Sequence, residues 1–76
     1  MNVMTKENIT GLLSRKAQIV LRADDFRISD LRDIAYEACR HEVVLTLIVG
    51  KAYSFQSILD IAGLGGKFLR LDLTGA

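Results

Sequence analysis

An internal repeat limits what this chain can fold into more than any other feature of its sequence. Residues 26–35 read FRISDLRDIA and residues 53–62 read YSFQSILDIA, so apolar residues and an aspartate recur at equivalent positions. The shift along the chain that superimposes these two segments also places the apolar run at 20–21 on the run at 47–48. Because a repeat defines an architecture before any single residue is interpreted, we expect one strand–helix unit to be used twice and closed by a third strand.

Hydrophobic periodicity predicts six elements along the chain. They are a helix over 5–16, a strand over 17–23, a helix over 28–40, a strand over 43–49, a helix over about 55–63 and a strand over 68–73. In the second helix we expect Leu31, Ile34, Ala35 and Ala38 to form the buried stripe, with Ser29 as the N-cap. If the cap lies earlier, Phe26 could pack onto Leu31 as a hydrophobic staple. The segment from Gly63 to Gly66 resembles a phosphate-binding loop in composition, but it follows a helix and is better explained as a C-cap and turn.

The predicted fold class is a small α/β domain. Its order is an N-terminal helix followed by β-α-β-α-β, with a mainly parallel three-stranded sheet in a two-layer or three-layer arrangement. A chain of 76 residues allows one hydrophobic core, so we expect a single domain over 1–76. Within it, 1–16 forms a helical extension, and 17–43 and 44–70 are the two related units.

The strand over 43–49 is almost entirely apolar, which predicts a central position with both faces covered. Right-handed crossovers on either side of a central strand place both later helices on one face of the sheet. Strand alternation then predicts a second, apolar face that needs another cover, which the N-terminal helix or a second subunit could supply. The residues expected on this face are Val20, Val43, Leu45, Leu47, Val49 and Phe68. Burying them would contribute on the order of 5 kcal/mol.

Composition excludes several classes of function. The net charge is only +1 and the charges are dispersed, so neither nucleic acid nor a membrane surface is an expected partner. No apolar run reaches the roughly 20 residues of a transmembrane helix, and the segment 1–15 lacks the features of a signal peptide. The single cysteine, Cys39, rules out an intrachain disulfide and favours a cytoplasmic location.

Few residues suggest chemistry. Asp24, Asp25 and Lys51 follow the first two predicted strands, at the edge where parallel sheets place ligands. They could hold a divalent metal or a phosphate, but residues of a solvated turn explain them better. Cys39 and His41 are too few for a metal site, and because they lie so close together on a helix end they would point in different directions. We therefore expect no catalytic residues, no metal and no cofactor.

Residues 50–65 resemble the regulatory-serine region of the HPr-type phosphocarriers. The shared pattern is Gly50-Lys51, a short spacer, then Ser57-Ile58-Leu59-x-Ile61-x-x-Leu64-Gly65. The resemblance implies a β-α-β-β-α-β fold with a hairpin at Gly50-Lys51, and it makes Ser57 a site of regulatory modification or recognition. The chain has no counterpart of the family's phosphorylated histidine near residues 26–30, so the resemblance implies a relative without phosphotransfer activity.

These observations give three functional interpretations. The first is a non-catalytic protein–protein interaction module that self-associates through the apolar face of its sheet, as a homo-oligomer or with a protein partner. The second is an HPr-like regulatory protein recognised at Ser57. The third is a metal or phosphate site at Asp24, Asp25 and Lys51.

Overall fold

A computed structural model describes residues 5–51 and 53–74 as three helices and a three-stranded sheet. The elements in chain order are α1 (Lys6–Ser14), β1 (Ile19–Arg22), α2 (Ile28–Arg40), β2 (Leu45–Ile48), α3 (Phe55–Gly65) and β3 (Leu69–Asp72). The strands lie in the order β1-β2-β3 and both pairings are parallel. The predicted α/β class, the N-terminal helix and the central position of the middle strand are confirmed.

Local sequence explains α2 well. Its bounds coincide with the predicted 28–40 segment, and the predicted stripe of Leu31, Ile34, Ala35 and Ala38 is buried. The prediction of Ser29 as the N-cap was wrong, and the cap lies earlier, as the alternative expected. Arg27 occupies that position with no side-chain hydrogen bond, and Ser29 already lies inside the helix. By contrast, Thr5 and Ser54 cap α1 and α3 by accepting bonds from the amides of Asn8 and Ser57, as serine and threonine commonly do at this position.

The three helices contribute to a single core on one side of the sheet. α2 packs against both α1 and α3. Ile9 and Leu13 of α1 are buried in the same hydrophobic cluster as Leu21, Leu45 and Leu47 of the strands. The N-terminal helix therefore does not cover the far face of the sheet. Within the described residues the domain has two layers, one of helices and one of strands.

The prediction of which side chains of the middle strand point to the helices was wrong. Leu45 pairs with Ile19 on one side and Leu69 on the other, and Leu47 pairs with Leu21 and Leu71. Residues paired in register point to the same face, so Leu45 and Leu47 lie beneath the helices. Val43 and Val49 are buried as well. Of the residues expected on the second, apolar face of the sheet, only Val20 and Phe68 are not buried.

The prediction failed because the offset along the chain between the two helices differs by one residue from the offset between the two paired strands. The shift that superimposes Ile28 of α2 on Phe55 of α3 also places Ile19 on Thr46, whereas the partner of Ile19 in the sheet is Leu45. Since side chains alternate with a period of two, a displacement by one position turns every side chain of a strand to the other face. The repeat therefore assigned the wrong parity to β2.

Glycines at the end of α3 permit its close contact with β3. A Cβ built on Gly65 would lie 2.7 Å from the Cβ of Leu69. Gly66 has a φ of 59°, which residues with a Cβ rarely adopt. The predicted C-cap and turn are confirmed at these residues.

The course of the chain between β2 and β3 excludes the alternative fold. β2 and β3 are parallel, and α3 connects them. Among residues 5–51 and 53–74 the chain therefore forms no hairpin of the kind that the HPr-like alternative fold requires at Gly50-Lys51.

Candidate interaction surface

The three residues predicted at the carboxyl edge of the sheet lie just after its first two strands. Asp24 and Asp25 lie in a 3₁₀ turn directly after β1, and Lys51 lies shortly after β2; all three are exposed. The carboxylate of Asp24 packs so closely against Gly50 that a Cβ at that position would overlap it. Among the described residues no group of three or more metal-binding side chains converges. The edge has the predicted location but lacks the set of oxygen ligands that a divalent cation needs.

The remaining polar candidates have structural roles in helix ends. The amide and the hydroxyl of Ser57 each lie 3.3 Å from Ser54 Oγ, so Ser57 is part of the N-cap of α3. His41 is the C-cap of α2, with Nε2 3.5 Å from Glu37 Oε2. Cys39 is a half-buried free thiol.

The face of the sheet opposite the helices has a mixed character. Val20 of β1 is 61% exposed, and Thr46 and Ile48 of β2 are half-buried. Arg22 and Asp72 flank Ile48 in the same row of the sheet, so charges surround a narrow apolar centre. This face is more polar, and its apolar part is smaller, than the second, apolar face expected from the sequence, because Leu45 and Leu47 of β2 point to the helices.

A more apolar exposed surface lies where α3 meets β3, and we call it the β3 margin. It is formed by Phe55, Leu59, Leu71 and Leu73, which are 76%, 46%, 38% and 61% exposed. Phe55, Leu71 and Leu73 also line a groove of about 350 Å³ whose other walls are Val49, Gly50, Tyr53 and Ile58. A contiguous exposed apolar surface of this kind is typical of an association site.

Within the sheet of the described residues, β3 has no strand partner along this margin. β3 is the last strand of the sheet, and its Asp72 carbonyl accepts a hydrogen bond from the Val49 amide at 2.9 Å. The N–H and C=O of Asp72 therefore face β2. Because successive residues of a strand direct these groups to opposite sides, the N–H and C=O of Leu69 and Leu71 point away from the sheet. Such an edge is a template for pairing with another strand.

Opposite charges alternate with leucines along the same strand. Arg70 is exposed and forms no ion pair with a residue of the described segments. Asp72 Oδ1 accepts hydrogen bonds from the Thr74 hydroxyl at 2.6 Å and the Thr74 amide at 3.0 Å, which lower the pKa of this carboxyl because they stabilise its charged form. At neutral pH the strand thus presents one positive and one negative side chain on the face opposite the helices.

Sequence reasoning missed the β3 margin, although part of the signal was visible. Leu69, Leu71 and Leu73 alternate with Arg70 and Asp72, which indicates a strand with one apolar face. The exposure of Phe55 and Leu59 had no comparable signal, because it depends on where α3 lies relative to the sheet.

Comparison with known proteins adds no assignment to this geometry: no protein-family model matches the chain, and neither a curated protein nor a solved structure matches it. In the part of the chain that the structure describes, none of the helices combines the length and the apolar character needed to cross a bilayer.

Proposed function

We propose that this chain is a non-catalytic protein–protein interaction module that associates with a second copy of itself through the β3 margin. The observation that carries the proposal is the coincidence of an unpaired strand edge with four large, exposed apolar side chains on the same side of the molecule. The free thiol of the only cysteine supports a cytoplasmic location.

The energetics favour a reversible complex. The exposed fractions of Phe55, Leu59, Leu71 and Leu73 together amount to about two fully exposed side chains. Burying them completely would contribute roughly 3–6 kcal/mol per copy, and twice that for a symmetric pair. Association costs about 4–15 kcal/mol in lost translational and rotational freedom. The two contributions are similar in size, so we expect a dimer that forms and dissociates with concentration.

The proposal replaces the surface expected from sequence while keeping the class of function. The apolar face of the sheet is the one beneath the helices, and among its described strand residues and their continuation, Leu71 and Leu73 at the β3 margin are the most exposed. Leu45, Leu47, Val43 and Val49 are core residues and take no part in the proposed contact.

A matched pair of substitutions tests which surface associates. Leu73 at the β3 margin and Val20 on the opposite face of β1 are each 61% exposed. Changing either to Asp therefore exchanges an equally exposed apolar side chain for a charge. We expect Leu73→Asp to abolish self-association in analytical ultracentrifugation, because the carboxylate would have to be desolvated in the contact. Val20→Asp should associate as the parent does.

Two outcomes would contradict the proposal. A parent protein that sediments as a strict monomer at high micromolar concentration would remove self-association altogether. Loss of association in Val20→Asp, but not in Leu73→Asp, would transfer the contact to the uncovered face of the sheet.

A further inference from the structure

The sequence of β3 is complementary to itself when two copies run antiparallel. Its leucines stand at 69, 71 and 73, with Arg70 and Asp72 between them. If a two-fold axis passes through Leu71, each residue meets the one at an equal distance on the other side of the axis. Leu69 then faces Leu73 of the second copy, and Arg70 faces Asp72 of the second copy.

The direction of the backbone groups is compatible with the same register. In an antiparallel pair, hydrogen-bonded positions recur at every second residue, and both groups of each such residue point to the partner strand. The outward-pointing groups of β3 belong to Leu69 and Leu71, as the bond from Val49 to the Asp72 carbonyl shows. An axis at Arg70, Leu71 or Asp72 places outward-pointing residues opposite each other, so all three allow the backbone bonds. An axis at Arg70 or Asp72 would, however, put two like charges directly opposite each other at its centre, which is destabilising, so the charges select the axis at Leu71.

Side chains agree with this register on both faces. Leu69, Leu71 and Leu73 would form one apolar ladder continuous with Phe55 on the helical side. Arg70 and Asp72 would form two cross-strand ion pairs on the other side, at positions without backbone bonds, where opposed residues lie closest. The other edge strand, β1, offers no such pattern, because Arg22 is its only charged residue and Leu21 is buried.

We propose that two copies of this chain join β3 to β3 in antiparallel orientation, with Leu71 on the two-fold axis and Arg70 paired with Asp72 of the second copy. This arrangement rests on the proposed function and specifies its geometry. It converts two three-stranded sheets into one six-stranded sheet with all helices on one side. It also closes the exposed edge of β3 in an isologous contact, which does not propagate into fibres.

Two charge variants test the register. Arg70→Asp alone places acidic residues opposite each other, and Asp72→Arg alone places basic residues opposite each other. We expect each variant by itself to associate at least about 10-fold more weakly than the parent, which is ~1.4 kcal/mol. An equimolar mixture of the two variants restores an opposite charge at both pairs, so it should sediment as a heterodimer with about the parent's affinity. The double variant Arg70→Asp/Asp72→Arg should also dimerise.

A measurement on the unmodified protein keeps the test independent of how the variants fold. The Leu71 amide, which points to solvent in the single chain, should exchange with deuterium slowly at high protein concentration and quickly on dilution. The amides of β2, which are bonded within the sheet, should show no such dependence.

The outcomes separate the arrangement from the proposed function. If the parent dimerises and Leu73→Asp does not, but the mixture of charge variants gains no mass, the β3 margin remains the contact and the antiparallel register is wrong. Concentration-independent exchange at Leu71, or assemblies that grow beyond a dimer, would likewise overturn the register. A strictly monomeric parent would overturn both proposals.

Discussion

Two glycines of α3 offer a sharp test of how this helix is seated on the sheet. Gly63 and Gly65 both lie in the last turn of α3. A Cβ built on Gly63 meets nothing within 4 Å, whereas one built on Gly65 lies 2.7 Å from the Cβ of Leu69. The substitutions Gly63→Ala and Gly65→Ala thus add the same methyl group at two nearby positions, into open space in one case and against β3 in the other.

The magnitudes follow from these two environments. Gly63→Ala should raise the free energy of unfolding by up to about 1 kcal/mol, because alanine loses less backbone entropy in a helix. Gly65→Ala should lower it by about 1–3 kcal/mol, the usual cost of overpacking a filled site. The Cβ of Leu69 is attached directly to the backbone of β3, so no rotamer change can relieve the contact. The two variants should therefore differ by about 1–4 kcal/mol.

Urea unfolding followed by circular dichroism measures this difference, at protein concentrations low enough to keep the chain monomeric. For a domain of this size each kcal/mol corresponds to about 4–8 °C in Tm, so thermal unfolding provides a second readout. The reasoning would be refuted if Gly65→Ala were as stable as Gly63→Ala, since α3 would then not approach β3 as closely as the structure shows.

Two further predictions concern the core and the surface charges. Leu47 is fully buried in the central strand, so Leu47→Ala should lower the free energy of unfolding by about 2–5 kcal/mol in urea titrations, and a cost below about 1 kcal/mol would contradict its position beneath the helices. Lys6 donates a hydrogen bond to Asp33 at 3.0 Å, which raises the pKa of this exposed amine above its ordinary 10.5. A lysine whose pKa is higher in the folded state than in the unfolded state stabilises the fold at pH values below its unfolded-state pKa, and this stabilisation is lost as the pH rises through its folded-state pKa. Thermal unfolding of Lys6→Met should therefore differ from that of the parent at neutral pH and converge with it only at strongly alkaline pH. A difference that instead grew with pH would contradict the ion pair.

Local sequence patterns account for much of the fold. The bounds and buried stripe of α2 follow from helical periodicity in one contiguous segment, and that signal needs no partner element. The parallel order of the strands also follows, because the segment between successive strands is long enough for a crossover helix and too long for a tight hairpin. Such patterns report only on residues that are close to each other along the chain, within one or two turns of a helix.

Pairing between distant segments decided the features on which the proposed function depends. Residues 43–49 are apolar at every position except Thr46, so no alternation in the sequence marks which side of β2 meets the helices. Only the pairing of Leu47 with Leu21 and Leu71 assigns that side. In the same way, Phe55 and Leu71 read as ordinary core residues along the chain. They are exposed because β3 is the last strand and α3 leaves its margin uncovered, which is a property of the assembled sheet rather than of either segment.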